Sequence, residues 1–126
     1  MKIVVGYDES DPSERALERA AELARLYETE LVVTSVIPLL IDGKPTHGGG
    51  PEARRARERL AELGVEARLV EAVGDPAEAI VEVAESNDAG LIVVGTREPS
   101  LIERALGYSV SESVQRRAHC DVLIVH

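Results

Sequence analysis

Residues 95–111, GTREPSLIERALGYSVS, hold the residue types that seat a phosphate. Gly95 closes an apolar, β-branched run (91–95) and allows a ligand to approach the backbone closely. Ser109 and Ser111 flank Val110 where helical periodicity resumes. Hydroxyls and free N–H groups at a helix start form an anion seat. Ordinary helix capping uses serine in the same way, so both roles are open. A second polar group, Asp8-Glu9-Ser10, follows the first apolar run. A carboxylate there can accept hydrogen bonds from an adenine amino group or from ribose hydroxyls; a turn or cap role is the alternative for Asp8.

Both groups need strands to present them, and the chain supplies five apolar runs: Lys2–Tyr7, Leu31–Ile37, 65–70, 91–95 and 122–125. IVV, LVV, LIVV and VLIV are apolar on both faces, as strands buried between two helical layers are. Amphipathic stretches alternate with them, which predicts a parallel sheet in a single α/β domain spanning 1–126. In such sheets ligands lie beyond the carboxyl ends of the strands, where the winding reverses, and the turns after the first and fourth strands compete for that place.

The first helix is expected over 12–27, with Asp11 as N-cap, Pro12 at the first helical position and Glu14 completing a capping-box-like pair. Ala16, Leu17, Ala20, Leu23, Ala24 and Tyr27 form its apolar stripe. A second helix over 51–63 is rich in arginine. Its inward positions are Ala53, Ala56, Leu60 and Leu63, and its arginines read as a solvated face with glutamate partners. Asp75-Pro76 repeats the cap-then-proline start, with Ile80, Val81, Val83 and Ala84 inward. The last helix begins near Ser109 or Ser111 and ends by Ala118, burying Val110 and Val114. Between them, PLLIDGKPTHGGGP (38–51) predicts a loop and not a domain boundary.

Composition narrows the function. The chain has 126 residues, 44% of them apolar, yet no Phe or Trp and three Tyr, which leaves no base-stacking platform. A net charge of −9 opposes a phosphate-backbone partner, so nucleic acid is not expected. No apolar run approaches the roughly 18 residues that span a bilayer, no secretory pattern opens the sequence, and the lone Cys120 suits a reducing compartment. These features predict a cytoplasmic protein without a membrane partner.

The VGYDES opening, GDPAEAIVEVAE, LIVVGTR, SVSESV and the closing RRAHCDVLIV together resemble the universal stress protein family, in order and along essentially the whole chain. Only the 42–50 loop and the second helix are short beside typical members. The resemblance implies a three-layer α/β/α fold of the adenine nucleotide alpha-hydrolase-like type, with a five-stranded parallel sheet in the order 3-2-1-4-5. It also implies a homodimer joined through the C-terminal strand (120–126). An apolar run at a sheet edge independently invites pairing. Asp8 matches the family's adenine or ribose aspartate, and Val36 with Ile37 falls where adenine packs.

ATP-binding members carry a glycine, two residues, a glycine, nine residues, then a glycine followed by serine or threonine. Here Gly95 keeps the first position and Ser109 the hydroxyl, but Glu98 and Tyr108 replace the other two glycines, with Gly107 one place early. A carboxylate about 4 Å from one phosphate charge costs roughly 1 kcal/mol in water and about 4 at an effective dielectric near 20. Arg97 offsets part of this. The residues that hold a nucleotide on this reading are Asp8, Val36, Gly95, Arg97, Gly107, Ser109, Val110 and Ser111; AMP, cyclic AMP or another small ligand stays open, ATP is the harder case, and Mg2+ is involved only if ATP binds.

No Walker loop, SGG-type loop or HIGH-like motif is present, and the adjacent His119 and Cys120 have no companion to make a metal site. The chain is not read as an enzyme. The leading reading is a dimeric stress-response module without tight ATP binding. An adenine-nucleotide sensor and a slow ATP hydrolase or phosphotransferase stay open beside it.

Overall fold

The computed structural model describes residues 1–37, 50–96 and 109–126. Strand β1 (Lys2–Tyr7) is followed by α1 (Asp11–Tyr27), β2 (Leu31–Ile37), α2 (Gly50–Leu63), β3 (Ala67–Val73), α3 (Pro76–Ser86), β4 (Ala89–Gly95), α4 (Val110–Arg117) and β5 (Asp121–Val125). The strands form one parallel sheet in the order β3-β2-β1-β4-β5. Val4 lies between Val32 and Ile92, so the three central strands meet through β-branched side chains.

Two cores flank the sheet. Ile3, Val5, Tyr7, Leu31 and Val33 pack with Ala16, Leu17 and Ala20 of α1 and with Ala56 and Leu60 of α2. Val4, Val32, Ile92 and Val94 pack with Ile80, Val81 and Val83 of α3 and Val114 of α4. Strands apolar on both faces are thus covered on both faces, which is why the uninterrupted Val/Ile runs are strands here.

Local chemistry sets the helix ends, with three departures from the sequence reading. The N-cap of α1 is Ser10, whose hydroxyl accepts from Ser13 N at 3.3 Å; Asp11 is already helical. A serine hydroxyl reaches the N3 amide as well as a carboxylate does, so the neighbouring polar residues were indistinguishable on type alone. Tyr27 is 59% exposed, because α1 ends beside it at Glu28, which adopts the left-handed φ of 52° and turns the chain away. Strand β3 starts at Ala67 and runs on to Val73, past Val70, because it stays paired with β2 as far as Ile37 opposite Val73; its residues are half-buried or exposed. Asp75 caps α3 through Glu78 N at 3.0 Å, as its sequence predicts.

Among the described residues, no helix is long and apolar enough to cross a membrane.

Candidate functional site

β1 and β4 are adjacent in the sheet, while the strands that follow each of them lie on opposite sides: β2 beyond β1, β5 beyond β4. Their carboxyl ends therefore form the point where the winding reverses, the place in an open parallel sheet where ligands sit. Asp8 stands just past the end of β1 and Thr96 just past the end of β4.

Asp8 is exposed and lies in the turn that leads from β1 into α1. Glu9 takes a left-handed φ of 68°, which folds the chain back so that both the amide (3.0 Å) and the hydroxyl of Ser10 donate to Asp8 Oδ1. The Asp8 amide donates to Ser13 Oγ at 3.2 Å, and Ser13 Oγ donates to Ser10 O at 2.9 Å. The carboxylate that could meet a ligand is thus oriented by its own turn. Its turn role and a ligand role are compatible, because an ionised carboxylate accepts several hydrogen bonds.

Across the switch point, three hydroxyls cluster. Ser109 Oγ lies 3.2 Å from Ser111 Oγ, and Ser111 Oγ donates to Thr96 Oγ1 at 3.4 Å. Ser109 is the N-cap of α4, accepting from Glu112 N at 3.3 Å, whereas Ser111 is buried. Val110 is half-buried at the first position of α4. Thr96 N donates to Val125 O at 2.9 Å, which fixes the end of β4 against β5. Thr96 belongs to the turn after the fourth strand that competes for the ligand's place, and the approach of α4 brings its hydroxyl to the serines.

Gly95 is at the end of β4, opposite Val125. A Cβ there would stand 2.3 Å from the Pro12 carbonyl oxygen, so the first turn of α1 rests on this position. Val36 pairs with Ala72 in the last part of β2. Arg97, Glu98, Gly107 and Tyr108 fall outside the described residues, as do 38–49.

A charged network flanks the Asp8 turn on the α1–α2 face. The Tyr7 hydroxyl, on a side chain 3% exposed, donates to Glu14 Oε1 at 2.7 Å. Arg55 Nε donates to the same oxygen at 3.3 Å, and Arg59 Nε lies 3.5 Å from Glu14 Oε2, an ion pair without hydrogen-bond geometry. Arg59 also pairs with Glu18 and with Glu62, the latter at 2.8 Å. Arg55 and Arg59 of α2 therefore have glutamate partners. Burial first, then the hydrogen bond and charge of Glu14, push the Tyr7 phenol far above its ordinary value, Arg55 opposing them in part. Sequence reading missed this network, although a tyrosine ending a buried strand needs a partner for its hydroxyl.

At the opposite end of the sheet, His119 Nδ1 lies 3.1 Å from Glu85 Oε1 beside a recess of about 180 Å³ that includes Val81, Ile92 and Cys120. Burial, with the charges of Asp121 and Glu85, raises the Cys120 thiol above its usual range. Among the described residues, no group of three or more His, Cys, Asp or Glu could hold a metal.

The family model described as the universal stress protein family matches residues 1–126. A universal stress protein of Methanocaldococcus jannaschii is 37% identical over 139 residues, covering 98% of this chain and 81% of that protein. Among solved structures, a universal stress protein in complex with cAMP superposes with a TM-score of 0.83 at 34% identity, over 100% of this chain and 96% of the other. The Archaeoglobus fulgidus universal stress protein in complex with dAMP gives 0.79 at 30% identity, over 100% and 98%.

Proposed function

This chain belongs to the universal stress protein family, and on that premise we propose that it is a stress-response regulator that acts as a homodimer and binds adenosine monophosphates, AMP or cyclic AMP, in preference to ATP. The observation that carries the reading is the switch point itself: Asp8 follows the end of one central strand, and the Thr96, Ser109 and Ser111 hydroxyls gather beyond its neighbour. A carboxylate suits the adenine amino group or ribose hydroxyls, while hydroxyls beside a helix start suit one phosphate. The relatives solved with cAMP and dAMP support the same ligand class.

In this reading Asp8 and Val36 hold the nucleoside, Gly95 supplies the turn, and Ser109, Val110 and Ser111 receive the phosphate with Arg97 and Gly107 beside it. Glu98 and Tyr108 stand where a triphosphate loop needs glycine, which opposes the added charge and bulk of ATP. Mg2+ enters only with ATP. No bond-breaking step is assigned, and the regulatory output is a contact with another protein.

The dimer is assigned to β5. On its inner side β5 pairs with β4; among the described residues its outer edge carries no pairing, and its Val122, Leu123, Ile124 and Val125 are only half-buried. Such an edge is completed by another strand. Asp8→Ala is expected to weaken AMP binding at least about tenfold, and sedimentation is expected to give a dimer. Unchanged AMP affinity in the variant removes Asp8 from the site, and a monomer at high concentration removes the β5 assignment.

A further inference from the structure

Glu14 occupies a position that its place in the first turn of a surface helix does not require. Its side chain is only 17% exposed, and three groups from two other elements converge on one carboxylate: the Tyr7 hydroxyl from β1, and the Arg55 and Arg59 guanidinium groups from α2. Tyr7 and Glu14 are seven positions apart, and the segment that their hydrogen bond closes, residues 8–13, holds the Asp8 turn. Within it, Glu14 N donates to Ser10 O at 2.9 Å, and Ser10 is the residue whose amide and hydroxyl orient Asp8. The same carboxylate therefore closes the turn that presents Asp8 and anchors α2.

We infer that Glu14 is a positioning residue: its carboxylate joins the Asp8 turn to α2, so that the seating of α2 and the geometry of the turn are set together. The described part of α2 meets the core through the small side chains of Ala53 and Ala56 and through Leu60, with Leu63 half-buried. A helix with so narrow an apolar contact depends more than its neighbours on charged anchors. Arg59 is the central anchor, since it grips Glu14 and Glu18 of α1 and Glu62 of its own helix. Because charge holds the joint, salt loosens it. The turn, and any ligand affinity that depends on it, then responds to events at α2, a helix that contributes no residue to the nucleotide site described above.

The extension to ligand affinity rests on the function proposed above; the link between turn and helix does not. Amide hydrogen exchange on the whole protein tests the link. Arg55→Met with Arg59→Met changes only α2, yet exchange is expected to speed at Ser10, Ser13 and Glu14 as well as along residues 53–60, each by about tenfold, with α3 unchanged. Glu14→Gln is expected to give the same pattern from the other side. Faster exchange in α2 alone, with the turn as protected as before, overturns the inference.

Adenosine supplies the ligand probe, being uncharged and so insensitive to salt in its own right. Raising salt from about 0.05 to about 0.5 M is expected to weaken adenosine binding several-fold in the wild type and to leave Glu14→Gln unaffected. An equal salt response in both proteins contradicts the coupling. A wild type that binds no adenosine counts against the nucleotide reading, and the exchange comparison then decides the role of Glu14 by itself.

Discussion

Gly95 and Pro12 touch backbone to backbone across the switch point: a Cβ on Gly95 would lie 2.3 Å from the Pro12 carbonyl oxygen and 2.4 Å from its carbonyl carbon. The glycine that sequence reading reserved for a ligand's approach is thus already required by the first turn of α1. It sets how near the Asp8 turn comes to the Thr96 hydroxyl cluster, and so holds the two halves of the candidate site at one spacing.

Gly95→Ala is therefore expected to destabilise the protein by about 1–3 kcal/mol, the usual cost of forcing volume into a packed site. Gly90→Ala is the contrast. Its new Cβ would meet the Met1 side chain at 2.3 Å, but Met1 is 63% exposed and can swing away. Urea unfolding midpoints should separate the two, with Gly90→Ala within about 0.5 kcal/mol of wild type. Equal midpoints for both variants would remove the Gly95–Pro12 constraint.

Thr34 offers the opposite case. It is fully buried in β2, opposite Gly6, and its hydroxyl makes no hydrogen bond among the described residues. An unsatisfied buried hydroxyl costs free energy that an isosteric methyl does not. Thr34→Val is expected to be neutral or to stabilise by up to about 1 kcal/mol in thermal or urea unfolding. A loss above about 1 kcal/mol would mean that the hydroxyl has a partner.

Much of this arrangement is legible in the residues. Pro12 and Pro76 mark the first turns of α1 and α3, the doubly apolar VV runs mark the central strands, and the family motifs give the strand order. What escaped depends on distant contacts. Glu71 interrupts the apolar run of β3, so only pairing with Ser35 reveals that the strand continues to Val73. Tyr27 keeps the helical spacing of the inward stripe but falls at the turn where α1 leaves the sheet. Ser10 and Asp11 are both good caps by type, and backbone geometry alone separates them. Asp8, Gly95 and Ser109 were recognisable as the polar ends of elements. The Tyr7–Glu14–Arg55 joint was not, because it unites β1, α1 and α2 across 48 residues of sequence.

The Tyr7 phenol gives a pH signature. Its folded-state value is raised above the unfolded one, so the stability it contributes is fully present below about pH 10, the ordinary phenol value, and is lost as pH climbs beyond it. Wild type should therefore lose more stability than Tyr7→Phe between about pH 9 and about pH 11, measured as the fall in urea midpoint. Parallel falls in the two proteins would show that Tyr7 does not titrate with unfolding.

The most direct measurement of the account is calorimetric titration of the purified protein with AMP, cyclic AMP and ATP, each with and without Mg2+. A monophosphate binding at least about tenfold tighter than ATP, a difference of about 1.4 kcal/mol, is the predicted result, with Glu98→Gly and Tyr108→Gly together raising ATP affinity. ATP binding as tightly as AMP, or no binding by any of the three, would contradict it.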